Sequence, residues 1–478
     1  MKFQQKLNLL TLVLLTVVVA CFFYQSFLPG MVLRANDLPV AAASARSYND
    51  FSAIMGAWND LNWVGISYGA RPLALNVFSL FVLGPVGQGK FAGMLALLLV
   101  GISGWWCFSR MKLSPMASLL GALALMLNML FFSFSAWGVY IWNFALAFFM
   151  VALALIHQGR NRAKDLVGIG LCSGMCVNEG IDVGVIFTIL IGIYFVFRNW
   201  SFSPKALLHT AMQFGVIVVL ALFVSANWVS SLMETYISGV VKEKVTEQEK
   251  REQWFFTTQW SLPKKEVATL LVPGLFGYRM DTPGGGNYWG EVGRDPNWQS
   301  GQGGARYTGS GQYAGKAVLL FALVAAFWAF FSASKQTNAS GAPLFQRREV
   351  FFWVIVSAIC LSLSFGKHFF TYSLIYPFPF FNSMRNPVKF LPLVMVALII
   401  LSVHGLDLFT RCLDPLRSKL LGKITLCVSA GLIFLNVALL IGWSKNRPKL
   451  FGYLAENDFP QTAAQTILKF GQHEIVIS

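Results

Sequence analysis

Charge is scarce in this chain. Only 12% of its 478 residues are Asp, Glu, Lys or Arg, with 21 acids against 37 bases. Soluble globular domains carry about a quarter charged residues, so that class is excluded. Cysteine is equally uninformative as a framework. Cys21, Cys107, Cys172, Cys176, Cys360, Cys412 and Cys427 all fall in apolar runs or short basic links, so no disulfide scaffold is implied. Cys172 and Cys176 lie one helical turn apart with no His or carboxylate grouped beside them, which fits small packing residues better than metal ligands. The five histidines (His157, His209, His368, His404, His473) are scattered, and no HExxH or Ser-His-Asp pattern exists. Proteolysis and zinc hydrolysis rank low accordingly.

Apolar sequence fills the space that charge leaves. Hydrophobic residues make up 56% of the chain, with 43 Phe and 15 Trp and a mean hydropathy of +0.59. Apolar runs of roughly 18 to 22 residues recur from end to end, the length that crosses about 30 Å of hydrocarbon as helix. The short alternating segments of a membrane barrel are absent. The net charge of +16 could indicate nucleic-acid binding. However, Lys and Arg concentrate in short links between apolar runs, as cytoplasmic loops require. The chain therefore reads as an all-α polytopic membrane protein.

Lys2 and Lys6 precede the run Leu7–Phe27, which lacks a convincing cleavage site and reads as an uncleaved first helix with its N-terminus inside. The segment from about Pro29 to Lys90 is then outside, with Pro72–Val86 as a short interfacial helix. Further spans are expected at Phe91–Phe108, Met116–Phe134, Ile141–Ile156, Leu166–Val177, Val183–Phe197, Leu207–Ala226, Lys316–Phe331, Val350–Phe365, Phe390–Leu408 and Ile424–Trp443. That makes about 11 in all, with outer loops near 29–90, 227–315 and 366–389. Residues 1–443 form one transmembrane domain, and 444–478 a short outer tail.

Four polar constellations stand out on the outer side. Asn36-Asp37 follows the first span, and Asp37 suits either a general base or a helix N-cap; Asp50 and Asp60 lean towards structure. Glu179 and Asp182 form an acid pair in the link between two spans, costly at a bilayer edge unless paired or functional. The region from Pro273 to Gly315 interleaves glycine with Tyr288, Trp289 and Tyr313. It lacks the Lys-Ser/Thr of a phosphate-binding loop, but flat aromatic faces beside tight turns suit sugars or a lipid headgroup. An outer loop without a ligand is the plainer reading of it. Arg385-Asn-Pro387-Val-Lys389 places two cations at a helix start on the side where positive charge is disfavoured, which suits a phosphate; snorkelling anchors would also explain them.

Taken in order, several pieces of the chain resemble the bacterial YfhO-like membrane proteins. These are Asn36-Asp37, Trp58-Asn-Asp60-Leu-Asn-Trp63, Glu179-Gly-Ile-Asp-Val-Gly184 and Gln259-Trp-Ser-Leu-Pro263, followed by Pro273-Gly-Leu-Phe-Gly-Tyr278, Tyr288-Trp-Gly290, Gly309-Ser-Gly-Gln-Tyr-Ala-Gly315 and Arg385-Asn-Pro-Val-Lys-Phe390. The match is similar to the GT-C superfamily of membrane glycosyltransferases. It implies a GT-C-like helical architecture in the bacterial cytoplasmic membrane with an extracytoplasmic site. A sugar would move there from a polyprenyl-phosphate donor to a cell-envelope glycan, lipid or protein. By that resemblance Asp37 is the catalytic acid of the first outer loop and Glu179 a second. Asn36, Asp60, Tyr288, Trp289, Tyr313, Arg385 and Lys389 line the substrates. Some GT-C enzymes use a divalent metal such as Mg or Mn and others do not, so metal dependence stays open. A lipid-linked polysaccharide polymerase and a non-enzymatic flippase are the alternatives, the latter needing polar residues through the depth of the spans. Many relatives continue into a larger outer domain after the last span, where this sequence has about Ser444 to Ser478, so acceptor recognition is expected to differ.

Overall fold

Backbone N–H and C=O groups find no partner in hydrocarbon, so a long apolar run must bond within itself. Helix follows. The computed structural model describes residues 2–33, 37, 57–59, 66–68, 73–159, 163–230, 246–279, 282–293, 312–331, 346–411, 415–457 and 459–478. Its elements begin with α1 (Lys2–Phe22), a small antiparallel pair β1 (Ala57–Asn59) and β2 (Ile66–Tyr68), α2 (Leu75–Arg110), α3 (Pro115–Met126) and α4 (Met129–Trp137). There follow α5 (Ile141–Gln158), α6 (Ala163–Glu179), α7 (Ile181–Asn199), α8 (Pro204–Val224) and α9 (Glu247–Thr258). The chain continues with α10 (Lys316–Phe331), α11 (Arg347–Ser364), α12 (Thr371–Ile375), α13 (Pro379–Ser383), α14 (Leu391–Arg411), α15 (Pro415–Glu456) and α16 (Gln461–Ile477).

Every apolar run expected to cross meets a helix or a bent helix pair. Among the described residues six are long and apolar enough to span a membrane: α2, α5, α7, α8, the stretch Pro387–Arg411 ending in α14, and Ser418–Glu456 within α15. The pair α3 and α4, bent by 41°, makes a seventh if it counts as one span. This is a helical membrane protein. Length and composition do not carry the count to 11, because the apolar stretch Lys6–Phe22 of α1 and the helix α10 are shorter and the first turns of α6 and α11 are charged, with Asp165 in one and Arg347, Arg348 and Glu349 in the other.

The short helix expected at Pro72–Val86 is set off from the next span by a kink within α2 at Gly84, whose φ of 66° and ψ of 175° are open to glycine and precede Pro85. One boundary differs from the sequence reading. The division at residue 443 falls inside α15, which runs through Pro448 to Glu456. At 1.5 Å per residue, 42 residues far outreach the hydrocarbon, so the tail begins as a continuation of the span.

The helices form two compact units. Unit 1 comprises Met1–Leu127 and Phe131–Lys244, and unit 2 comprises Asn128–Leu130 and Val245–Ser478. In unit 1, α2 and α5 pack through Ala92, Ala96, Tyr140 and Phe144. A polar relay stitches the interior together: the Asn143 amide donates to Phe131 O (2.7 Å) and to Ser135 Oγ (2.9 Å), and Ser135 donates to Gly93 O (2.9 Å). In unit 2 the central helix is α14, buried along most of its length against α10 and α11. α15 leans on α10 through Val324, Trp328, Leu421 and Val428. α16 folds back along α15, where Trp443 Nε1 donates to Leu468 O (3.2 Å).

Candidate functional site

Antiparallel succession brings particular helix termini of unit 1 together. The starts of α2, α5 and α7 and the ends of α4, α6 and α8 share one end, and the acids collect there. Asn178, at the end of α6, donates to Leu73 O (3.2 Å) ahead of α2 and to Val224 O (3.0 Å) at the end of α8. The next residue, Glu179, is buried and accepts the Leu75 N–H, and also the Asn76 N–H at 3.3 Å. These are among the first N–H groups of α2, which no carbonyl of the same helix can reach. Both carboxylate oxygens of Glu179 are thereby committed to the positive end of α2. Gly184 permits the α6–α7 turn to close, since a Cβ there would overlap Cys176 O. Asp182 sits in the first turn of α7 and accepts from Val183 N–H (2.8 Å).

Asp37 is placed at the same end by its backbone. Its N–H donates to Trp137 O at the end of α4 (2.9 Å), leaving the side chain exposed. Enough protein surrounds the carboxyl for partial desolvation to push its ionisation above the usual carboxylate value. Asn36 and Asp60 lie outside the described residues.

In unit 2 the polar groups gather where α11 ends and α14 begins. α9 opens with a capping box, in which Thr246 Oγ1 accepts from Glu249 N–H and the Glu249 carboxylate accepts from Thr246 N–H. It closes with Trp254, Phe255 and Phe256. The segment just after it receives two sequence-distant loops. Thr257 O accepts from Asn386 N–H (3.0 Å) and Trp260 O from Val388 N–H (3.2 Å), while Ser261 Oγ accepts from Lys367 N–H (3.1 Å). Arg385 is half-buried. Its guanidinium donates to Gln259 Oε1 (2.8 Å) and lies 4.7 Å over the Phe256 ring, and its Nε has no acceptor among the described residues. Asn386 holds a left-handed φ of 78° as the chain turns into Pro387–Phe390, and Lys389 follows within that turn.

The aromatic residues of the Gly-rich region take a different place from the one their composition invites. Tyr288 is completely buried, and Trp289 is 5% exposed and packs on Phe276, Trp443 and Tyr453. Neither offers a free face to a sugar. Tyr313 accepts from Lys316 N–H at the start of α10 (3.1 Å). Tyr288 instead serves the buried carboxylate of Glu266, donating to Oε2 (2.7 Å), while Glu291 N–H donates to Oε1 (2.7 Å). Burial pushes Glu266 up to about 7 in spite of these two donors. The tail reaches the same region, since Tyr278 donates to Glu474 on α16 (3.1 Å) and Tyr453 donates to Glu291 (3.4 Å).

Four basic groups that sequence reasoning passed over stand beside this loop: Lys264, Lys265, Lys367 and His368. Their signal was available, because positive charge in a segment assigned to the outer side runs against the usual bias, the argument that singled out Arg385. Among the described residues no three His, Cys, Asp or Glu side chains converge as a metal ligand set. Comparison with family models, with curated proteins and with solved structures finds no match to this chain.

Proposed function

We propose that the protein is a membrane glycosyltransferase that moves a sugar from a polyprenyl-phosphate carrier to a cell-envelope acceptor on the extracytoplasmic side of the bacterial cytoplasmic membrane. The observation that carries this reading is the Arg385 guanidinium. It is held in place by Gln259 and Phe256 at the head of a membrane-spanning helix, with its Nε–H lacking an acceptor among the described residues. A pre-oriented guanidinium is suited to a phosphate, and buried polar donors are rarely left without a partner.

In this reading Arg385 and Lys389 hold the carrier phosphate. The acceptor oxygen forms a bond to the anomeric carbon, the bond from that carbon to the phosphate oxygen breaks, and polyprenyl phosphate leaves with its added negative charge held by the two cations. The acceptor proton needs a carboxylate base, the role that the resemblance assigns to Asp37, and partial desolvation makes that group a better base than an ordinary carboxylate. Glu179 acts as a positioning residue that fixes the start of α2.

The test is release of polyprenyl phosphate from polyprenyl-phosphate-sugars by purified protein, with Asp37→Asn and Arg385→Lys beside wild type. Asp37→Asn keeps the backbone hydrogen bond to Trp137, so a folded variant that has lost release supports the base assignment. If wild type releases no carrier across a panel of sugars while still binding the lipid, the transferase reading fails and transport is assayed next.

A further inference from the structure

Among the described residues the loop of unit 2 brings several basic side chains to one place. Lys264 and Lys265 come from the turn after α9, and Lys367 and His368 from the turn Gly366–His368 after α11. Lys265 pairs with Glu291. The lysines and Glu291 all act electrostatically on His368: burial first, and then Lys367, Lys265 and Lys264, lower its pKa, while Glu291 opposes them. Lys367 is likewise lowered by partial burial, with Glu291 opposing. Among the described residues three lysines thus stand with the Glu291 carboxylate at this place, while Glu266 is buried and already occupied by Tyr288 and the Glu291 N–H.

The cations are ordered as well as numerous. Lys264 Nζ lies 4.8 Å from the Phe369 ring centroid, Lys265 Nζ 5.2 Å from that of Tyr453, and Lys367 Nζ 5.7 Å from that of Phe255. Aromatic faces restrict long side chains that would otherwise swing apart to lower their mutual repulsion. The backbone of the second turn is equally determined. Gly366 has a φ of 48°, a Cβ there would overlap Ser261 Oγ, and that same hydroxyl accepts the Lys367 N–H. Like charges held together by aromatic stacking and a required glycine form a surface complementary to a compact anion of more than one charge.

We infer that Lys264, Lys265, Lys367 and His368 form an anion site for a phosphate group, separate from the Arg385 guanidinium and partly satisfied in the free protein by Glu291. The site stands on the geometry of this loop and does not depend on sugar transfer. A phosphate can reach it on an isoprenyl carrier, on a bilayer phospholipid or as the free ion, and the chemistry recognised is the same.

The experiment measures binding of farnesyl phosphate to the purified full chain by isothermal titration, with farnesol as the uncharged control, and repeats it with inorganic phosphate as competitor. A parallel arm compares nanodiscs containing phosphatidylglycerol with nanodiscs of phosphatidylcholine alone. The variant is Lys264→Gln with Lys367→Gln, which leaves the Lys265 and Glu291 pair in place; Lys264→Arg with Lys367→Arg is the rescue. Binding of a phosphate-bearing probe should weaken about tenfold or more in the Gln variant, the size expected for lost charge-assisted bonds, and recover in the Arg variant, with farnesol unchanged in both. Preference for farnesyl phosphate identifies the carrier as the source, preference for phosphatidylglycerol the bilayer, and competition by inorganic phosphate alone the free ion. The inference is overturned if no probe separates the Gln variant from wild type, or if farnesol is affected equally. Phosphate binding without sugar transfer would remove the proposed function and leave this site standing. Transfer with unaltered phosphate binding in the variant would do the reverse.

Discussion

The two units treat their polar ends in opposite ways. At the end of unit 1 the Asn178 amide nitrogen and both Glu179 oxygens bond to the termini of α2 and α8, while Asn178 Oδ1 has no partner among the described residues, and the Asp37 side chain is exposed. At the end of unit 2 the buried carboxylate of Glu266 is enclosed by Tyr288 and Glu291, and the cations Lys264, Lys265, Lys367 and His368 are half-buried or exposed. The same physical demand, that buried polar atoms be paired, closes one end and leaves positive charge at the other. Polar residues near a membrane surface are therefore poor guides to function until their partners are known.

Substitutions can sharpen this contrast, and the largest effect is expected where unit 1 closes. Gly184→Ala places a Cβ onto Cys176 O, an overlap between backbones that no rotamer change relieves, and a cost of about 3 kcal/mol or more is expected. Size-exclusion profiles and thermal unfolding in detergent will show it. A variant as stable as wild type would mean that α6 and α7 do not pack so closely.

Glu179→Ala comes next. It strands two N–H groups of α2 in a buried place, for an expected loss of about 2 to 3 kcal/mol. Glu179→Gln, which keeps one acceptor oxygen, should lose less. If the Ala variant unfolds at the wild-type temperature, the carboxylate is not what holds α2, and a catalytic role for Glu179 regains ground.

Glu266 tests the other end through pH. Its pKa is raised in the folded loop to about 7, so the stabilisation belongs to the protonated form. It is complete below the unfolded carboxylate value near 4.3 and is lost as pH rises through about 7, a change on the order of 3 kcal/mol. Wild type should therefore unfold more easily at pH 8 than at pH 5. The part of that slope due to Glu266 should vanish in Glu266→Gln. An unchanged slope would count against a protonated Glu266.

The smallest effect is expected from the exposed pair. Lys265→Met removes the partner of Glu291 at a place where the two side chains are 46% and 33% exposed, so the midpoint should move by less than about 1 kcal/mol. A larger shift would show that this ion pair, and not the buried Glu266 network, organises the loop.

The helical membrane architecture was legible from the sequence because hydrocarbon leaves a long apolar run one way to satisfy its backbone. Spans such as Ile141–Ile156 and Val183–Phe197 met α5 and α7 within a few residues. The bend between α3 and α4 was less visible, since it turns on one or two residues inside an apolar run. The candidate site was legible only as a set of unusual residues. Glu179 was conspicuous as an acid beside a span, but nothing local shows that its partners are the Leu75 and Asn76 N–H groups, about a hundred residues earlier. Tyr288 and Trp289 looked like a sugar platform because glycine surrounds them, and burial is a property of what folds over a residue.

What the sequence determined by itself is the class of environment: sparse charge, long apolar runs and basic links specify membrane helices through a solvent effect that acts on each segment separately. Tertiary structure alone decided which polar residues are spent and which are free. Pairing depends on atoms brought to within about 3 Å from remote parts of the chain. Lys264 and Lys367 stand at one place because the turn after α9 docks on the turn after α11, and Asp37 is tied to Trp137 through its backbone while its side chain is exposed.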